Sequence, residues 1–541
     1  MVRRYFILSA IVALLIVGGG GLLWPPLWWA LAALLPLIGL GLWQSYQAQH
    51  TILRNFPLLG MTRYLLEKFR PEIQQYFIES NTDARPLARE FRAVVYQRAK
   101  GELETRPFGT ERDVYAIGYE WAAHTVAARE PMPEEPRVSF GGRDCSKPYR
   151  GSRLHISAMS FGSLSGPAVR ALNRGAANGG FAHNTGEGGI AEYHRHGGDL
   201  IWQIGTGYFG CRQLDGSFDL AAYKEMAQDE QVKMIELKLS QGAKPGHGGV
   251  LPGVKVTEEI ARARGVPAGE TVRSPPAHHT FSTPLAMMNF IAELRRHSGG
   301  KPVGFKLSIG RRIDLLAMCK AMLETDILPD YIAIDGGEGG TGAAPLEFSN
   351  FLGMPARDAW IFLHSALVGV GLRDRIRVVA SSKILTGFHM VRALALGADV
   401  CASARGMMLA LGCIQALRCN TDECPTGVTT QRKSMTHGLH VGDKSRRVTR
   451  FHAGTVASFL ELVGAMGLAD PDDLQPHHIF RRIDDLRIRH FGELYDWLEP
   501  GQLLDGHGLP PGIADEWHAA CSDRWVTMAE PGPHGGRSHR A

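Results

Sequence analysis

The stretch 331-YIAIDGGEGGTG-342 decides the fold. Residues 331–334 are a short apolar run that reads as a buried strand. The next eight residues hold five glycines: Gly336, Gly337, Gly339, Gly340 and Gly342, set around Asp335, Glu338 and Thr341. That is more glycine than one turn requires, and it marks a loop whose backbone approaches a ligand closely. Working outward, the same unit recurs: a short apolar segment, a Gly/Ser/polar cluster, then a helix-like segment. Eight candidate strands fit, at 154–158, 180–183, 200–205, 234–239, 303–307, 331–334, 377–380 and 400–403. Eight strands alternating with helices predict an α/β fold of the TIM type, a (β/α)8 barrel. The rival, a doubly wound open sheet, normally has fewer strands and a GxGxxG after the first one, which is absent here.

A barrel places its ligand-binding residues just after the strands, on one face. The polar motifs fall there. MSFG, with Met159 and Ser160, follows the first strand, and NTGEGG, with Glu187, follows the second. QGAKPG, with Lys244, follows the fourth. Ser381, Ser382 and Lys383 follow the seventh, and Arg405 follows the eighth. Phosphate commonly binds after strands seven and eight, so Ser382, Lys383 and Arg405 are candidates for that contact.

The chain has 541 residues, enough for one large barrel with flanking segments. A net charge of +5 spread over that length gives no reason to expect nucleic-acid binding. Eight cysteines, five of them scattered, are not a disulfide framework. They fit a reduced compartment with one metal or cluster site.

Residues 5–49 carry no charge. Two apolar runs, 5–23 and 27–43, flank Trp24-Pro25-Pro26, and each is near the shortest length that spans a bilayer, about 17 residues. Arg3 and Arg4 precede the first run; Arg54, Arg63, Lys68 and Arg70 follow the second. This predicts a transmembrane hairpin over 1–49 with both ends, and the catalytic part, on the cytoplasmic side of the inner membrane. A cleaved signal peptide would suit the first run alone, but the second follows at once with no small-x-small cleavage site. A helical connector is expected over 50–140, the barrel over 141–440, and a helical extension over 441–541.

The densest chemical signal is Cys413-x5-Cys419-x4-Cys424, followed by Pro425. Three close thiolates can hold an iron–sulfur cluster. A zinc site would need a fourth ligand, for which Asp422, Glu423 and His437 are the local choices, and the CxxC pairs typical of zinc are missing.

The segment 412-GCIQALRCNTDECPTGVTTQ-431 resembles the 3Fe-4S segment of glutamate synthase. Segments 159–165, 184–189, 241–249, 251–260, 274–279, 335–343 and 371–375 resemble the same family in the same order, so the likeness runs over roughly 140–435. The resemblance implies FMN as cofactor, with Gln203 and Lys238 beside the flavin. A cation there stabilises the anionic reduced ring. It implies that Lys244 and Arg264 hold 2-oxoglutarate, and that Glu187 orients ammonia or the imine, or relays a proton. The implied reaction brings electrons in at the Cys413, Cys419 and Cys424 cluster and makes glutamate from 2-oxoglutarate and ammonia.

Five features of the sequence bear on this. Ser381-Ser382-Lys383 stands where the family has an Asp-Gly-Gly-like sequence. His247 stands where the family has an acid, and Val250 where it has a glutamine that contacts substrate. No cysteine precedes Cys145, so the family's glutaminase nucleophile is absent and ammonia is expected from solution or a partner. No NADPH-type fingerprint is visible, so a separate electron-donor protein is expected. Two other functions remain open: oxidation or reduction of another amino or keto acid, such as an N-alkyl glutamate, and membrane-tethered electron transfer without amination.

Overall fold

A computed structural model describes residues 2–526; the final residues of the expected C-terminal extension, 527–541, and Met1 lie outside them. The chain divides between Arg89 and Glu90 into two compact units.

The first unit opens with two antiparallel helices, α1 (Val2–Leu23) and α2 (Leu31–Tyr46). Phe6, near the start of α1, lies against Gly41 near the end of α2, where a Cβ would collide with its ring. Gly21, near the end of α1, lies in the same way against Trp28. The helical path breaks only at Trp24, because Pro25 and Pro26 sit at the first positions of a short 3-10 turn, Pro25–Ala30, where the missing N–H is not needed. By length and composition, α1 and the helical segment Pro25–Tyr46, which joins the 3-10 turn to α2, are each long and apolar enough to cross a membrane. A one-turn helix, Thr51–Asn55, and a longer one, α3 (Gly60–Ile73), follow.

The second unit is built on a closed barrel of eight parallel strands. They are β1 (Leu154–Ile156), β2 (His183–Asn184), β3 (Leu200–Ile204), β4 (Val232–Lys238), β5 (Val303–Leu307), β6 (Tyr331–Ile334), β7 (Arg377–Ser381) and β8 (Val400–Ser403). All eight expected strands are present. The second begins later than expected, because Gly180 is the left-handed cap (φ 65°) of helix α4 (Gly166–Gly179) and cannot be extended.

Period-two alternation sorts the interior into layers. Ile201, Met234, Tyr331 and Val379 fill the lower interior; one step up each strand stand Gln203, Glu236, Ala333 and Ser381. A hairpin of Val138–Phe140 and Tyr149–Gly151 plugs the lower end, with Phe140 edge-on to Tyr331 at 5.6 Å. The apolar floor and polar upper layer aim the chemistry at the C-terminal mouth.

Two expectations about the flanks are corrected. The connector is helical only as far as Lys100. Glu120–Ala122 is a strand that pairs with Ile479–Arg482, which pairs in turn with Ile488–His490. Trp121 stacks between Tyr119 and Phe480, and the Glu120 carboxylate meets Arg357, Arg392 and Arg481. A strand exposing alternate faces to an aromatic stack and three cations cannot be read from helical periodicity. The C-terminal extension therefore contains strands as well as helices. Its long helix, Val441–Ala465, belongs to the barrel wall: Val448 packs on Gly175 of α4, and His452 stacks on Phe181 at 3.8 Å.

Buried Asp330 ties several of these parts together. It accepts from Arg295 Nε and Nη2 at 3.0 and 2.9 Å, from Val303 N at 2.7 Å and from Gly142 N at 2.7 Å. Asp330→Asn leaves the Arg295 charge buried and unmatched. It is expected to cost about 3 kcal/mol, read from the denaturant midpoint. An unmoved midpoint would show that the pair contributes no net stability.

Candidate active site

The loop after β2, the end of β4 and the long segment that follows β4 bring four ionisable side chains, Glu187, Lys238, Lys244 and Arg264, into one place at the mouth. Lys238, the last residue of β4, reaches Glu187 after β2 with Nζ 2.9 Å from Oε1. Gly205 and Gly249 flank the Glu187 carboxylate on two sides, and a Cβ at either would run into it. The two glycines form a slot for this side chain. Burial opposes the Glu187 charge, yet Lys238, then Lys244 and Arg264, hold its carboxyl below the usual range. Lys244 is buried with Lys238 nearby, and burial and that like charge bring its ammonium down to about 8.

Arg264 lies at the end of helix α5 (Glu258–Arg264). Its guanidinium donates to Ser160 Oγ at 3.2 Å and Phe161 O at 3.1 Å, and lies over the Phe209 ring. It braces the loop after β1 and adds its charge to the field on Glu187. Met159 and Ser160 line that loop beside Gly186 and Gly188.

Deeper in the barrel, Gln203 and Asn184 both donate to Glu236 Oε1, at 2.7 and 2.8 Å. Burial pushes the Glu236 carboxyl up. Lys306 pairs with Asp335 at 3.1 Å. Burial opposes its charge, but Asp335 and Glu236 outweigh that and hold the ammonium above its usual value. Asn184, Glu236 and Lys306 border a cavity of about 20 Å3, room for about one water, with His155, Ser157 and Ser381.

The loop after β6 lies where expected. Gly242 presses on Gly336 and Gly339 so closely that neither loop could carry a Cβ there. Gly336 N donates to Ser382 Oγ at 3.0 Å, and Gly242 N to Asp335 Oδ2 at 3.2 Å. Gly337 packs on Gly353, and Gly340 lies on the Arg405 guanidinium, which donates to Glu338 O at 3.1 Å. Ser382 and Lys383 both take positive φ, 97° and 53°, directly after β7. Thr341 is exposed, and its hydroxyl bonds within its own turn, with Ala343.

The cysteine loop follows β8. Gln415, Leu417 and Asp422 all take left-handed φ there, a run of strained non-glycine residues. Burial pushes the Cys413 thiol up to about 12. Burial also acts on Cys424, but hydrogen bonds from Thr426 and Thr429 hold it below its usual value. Among the described residues no group of three or more His, Cys, Asp or Glu side chains is arranged to hold a metal ion.

Sequence reading missed several groups. Lys306 was detectable, as a lysine inside the apolar strand VGFKL. Glu236 could have been found by the same argument. His278, bonded to Tyr208 OH at 2.7 Å and Lys238 O at 2.8 Å, holds the end of β4, and nothing local announces it. Lys255 is almost fully buried and donates to Ser163 O at 3.0 Å, Thr429 O at 2.9 Å and Cys419 O at 3.4 Å. It fastens the cysteine loop to the loop after β1.

A family model described as the conserved region in glutamate synthase matches residues 141–469. The chain belongs to the glutamate synthase family. It is 37% identical over 492 residues to the glutamate synthase large subunit-like protein YerD of Bacillus subtilis, across 83% of this chain and 93% of that one. It is 32% identical over 327 residues to the archaeal glutamate synthase (NADPH) of Methanocaldococcus jannaschii, across 60% of each chain. With the archaeal-type glutamate synthase (NADPH) of Thermotoga maritima it shares 33% identity over 317 residues, 58% of this chain and 59% of that one. The chain thus spans about three-fifths of the archaeal-type relatives. Membership makes it a glutamate synthase-like oxidoreductase acting on CH–NH2 donors.

Lys255→Met would strand three carbonyls of two loops, at about 1–3 kcal/mol for each buried group left unpaired. The expected result is faster protease cleavage within 412–431 and a lower unfolding midpoint. Unchanged cleavage would show that the loop is held by other contacts.

Proposed function

We propose that this glutamate synthase family enzyme uses FMN and a 3Fe-4S cluster to reduce the imine of 2-oxoglutarate and ammonia to glutamate. The observation that carries the reading is the Glu187–Lys238 pair at 2.9 Å with Lys244 beside it, at the mouth of a closed barrel.

The loops fit a flavin mononucleotide. Glycines 242, 336 and 339 let the loops after β4 and β6 close on each other backbone to backbone, and Gly340 leaves the β6 loop bare beside Arg405. Ser382, Lys383 and Arg405 are the phosphate candidates after β7 and β8. Met159, Ser160, Gln203, Lys238, Asp335 and the 336–341 run are the remaining flavin candidates. FMN, when bound, supplies two-electron hydride chemistry. Cys413, Cys419 and Cys424 bring the thiolate donor chemistry of a cluster and are its proposed ligands, although among the described residues their side chains are not gathered around a metal-sized site. Such a cluster supplies single-electron transfer.

This chain's own residues do the rest. The Lys244 ammonium pairs with a substrate carboxylate. Arg264 holds the loop after β1 in place around it. Glu187, kept ionised by its three cations, accepts a hydrogen bond from ammonia or the imine N–H and orients it. The slot of Gly205 and Gly249 stops the carboxylate from turning away.

A second reading rests on two residues. The His247 ring packs edge-on against Phe348 at 5.4 Å, and Val250 lies in a two-residue strand paired with Arg273. Neither offers the carboxamide that the family's glutamine would. A different keto or amino acid, such as an N-alkyl glutamate, is the alternative substrate. The two apolar helices support a two-span anchor in the cytoplasmic membrane with the barrel on the cytoplasmic side, and a separate protein is the proposed electron donor.

The test is anaerobic. The chain, purified in detergent and shown to carry flavin and iron, is reduced with dithionite and freed of excess reductant. Adding 2-oxoglutarate and ammonium should reoxidise the flavin with stoichiometric glutamate. Reoxidation only by other keto acid and amine pairs would move the assignment to the second reading. Absence of flavin and iron from the freshly purified chain would end both.

The pH dependence is also specified. Lys244 is a cation below about 8 and neutral above it, against an ordinary value of 10.5. The apparent KM for the keto acid should therefore rise as pH passes through about 8, and Lys244→Met should remove that rise. A KM flat from pH 7 to 10 would exclude Lys244 from carboxylate binding.

A further inference from the structure

The start of α3 is pinned to the end of α2. Leu58 N donates to Gln44 Oε1 at 2.7 Å, and Gln44 and Ser45 are buried in the last turn of α2. Gly60, the first residue of α3, lies against Ile52 and Leu53, where an added Cβ would be crowded. The same end of the hairpin carries the residues suited to a membrane–water boundary. Arg3 lies over the Tyr46 ring at 4.8 Å, and Trp43 is exposed beside it in sequence.

From that point α3 runs on as an amphipathic helix, continued by a wider turn at Gln74–Ile78. At 100° per residue, Leu65, Leu66, Phe69, Ile73 and Phe77 fall within about 120° of one another. Leu66 is 61% exposed, Phe69 49% and Phe77 85%. Arg63, Glu67 and Arg70 take the other side, with Arg63 and Glu67 paired at 3.0 Å. A stripe of large apolar side chains this exposed requires a covering. A helix with one apolar and one charged side, beginning one hydrogen bond from the end of an apolar span, meets the acyl–headgroup boundary at the right level to bury that stripe.

We propose that residues 60–78 lie along the lipid surface as an in-plane anchor, with the Leu66–Phe69–Phe77 side in the acyl region and the Arg63–Arg70 side at the headgroups. The inference rests on the two-span reading of α1 and α2. It would give the first unit three membrane contacts, two crossing and one lying flat.

The full chain is reconstituted in nanodiscs of phosphatidylcholine and phosphatidylglycerol, doped with a phosphatidylcholine that carries a diazirine in its acyl chain. After irradiation, lipid adducts are mapped by peptide mass spectrometry. Peptides from 2–46 and from 60–78 should both be labelled, the latter about ten-fold above the exposed segment 102–118. The double variant Leu66→Glu, Phe69→Glu should lower labelling of 60–78 and leave 2–46 unchanged. Labelling confined to 2–46 would overturn the in-plane anchor and keep the two-span hairpin. An unlabelled 2–46 would overturn both.

Discussion

Eight parallel strands that close on themselves share one interior, and every second side chain must fit it. That constraint governs the protein. Large apolar residues at the lower level, Ile201, Met234, Tyr331 and Val379, exclude water and fix the register. One step up, the interior turns polar at Gln203, Glu236 and Ser381, and only because Glu236 finds Asn184 and Gln203, and Lys306 finds Asp335, can the ionisable groups stay there. The mouth is then charged by construction rather than by accident of loop sequence.

Above that layer, the loops are positioned by close backbone approach. Gly242 against Gly336, and Gly205 and Gly249 around Glu187, are places where even a methyl group would not fit. Close approach brings residues far apart in sequence to within one hydrogen bond, and it leaves the side chains that remain, Lys238, Lys244 and Glu187, in a shared field. Lys255 extends the same logic to the cysteine loop: one buried ammonium holds carbonyls from two loops that no regular structure connects.

The barrel was legible because its signal is local and repeated. Each strand is a short apolar run ended by a glycine-rich cluster, and eight repeats leave little choice of architecture. Glu187, Lys238 and Lys244 were legible by resemblance, and the structure brings them together. Thr341 was read as part of the flavin loop by its place in the run; its side chain is exposed, and a glycine-rich sequence says nothing about which way its one hydroxyl turns. The flanks were least legible. Residues 120–122 join strands some 360 positions later, through pairing such as Glu120 with Arg481, which no local periodicity encodes.

By itself the sequence determined the barrel, the order of its ligand loops, the cysteine spacing and the two apolar N-terminal helices, because periodicity, glycine clustering and apolar length are properties of neighbouring residues. Tertiary structure alone decided that Arg264 braces the β1 loop, that Glu187 sits in a glycine slot against Lys238, and that Lys306 and Lys255 carry buried charge. Those roles depend on which distant groups surround a side chain once water has been excluded, and that is set only when the barrel closes.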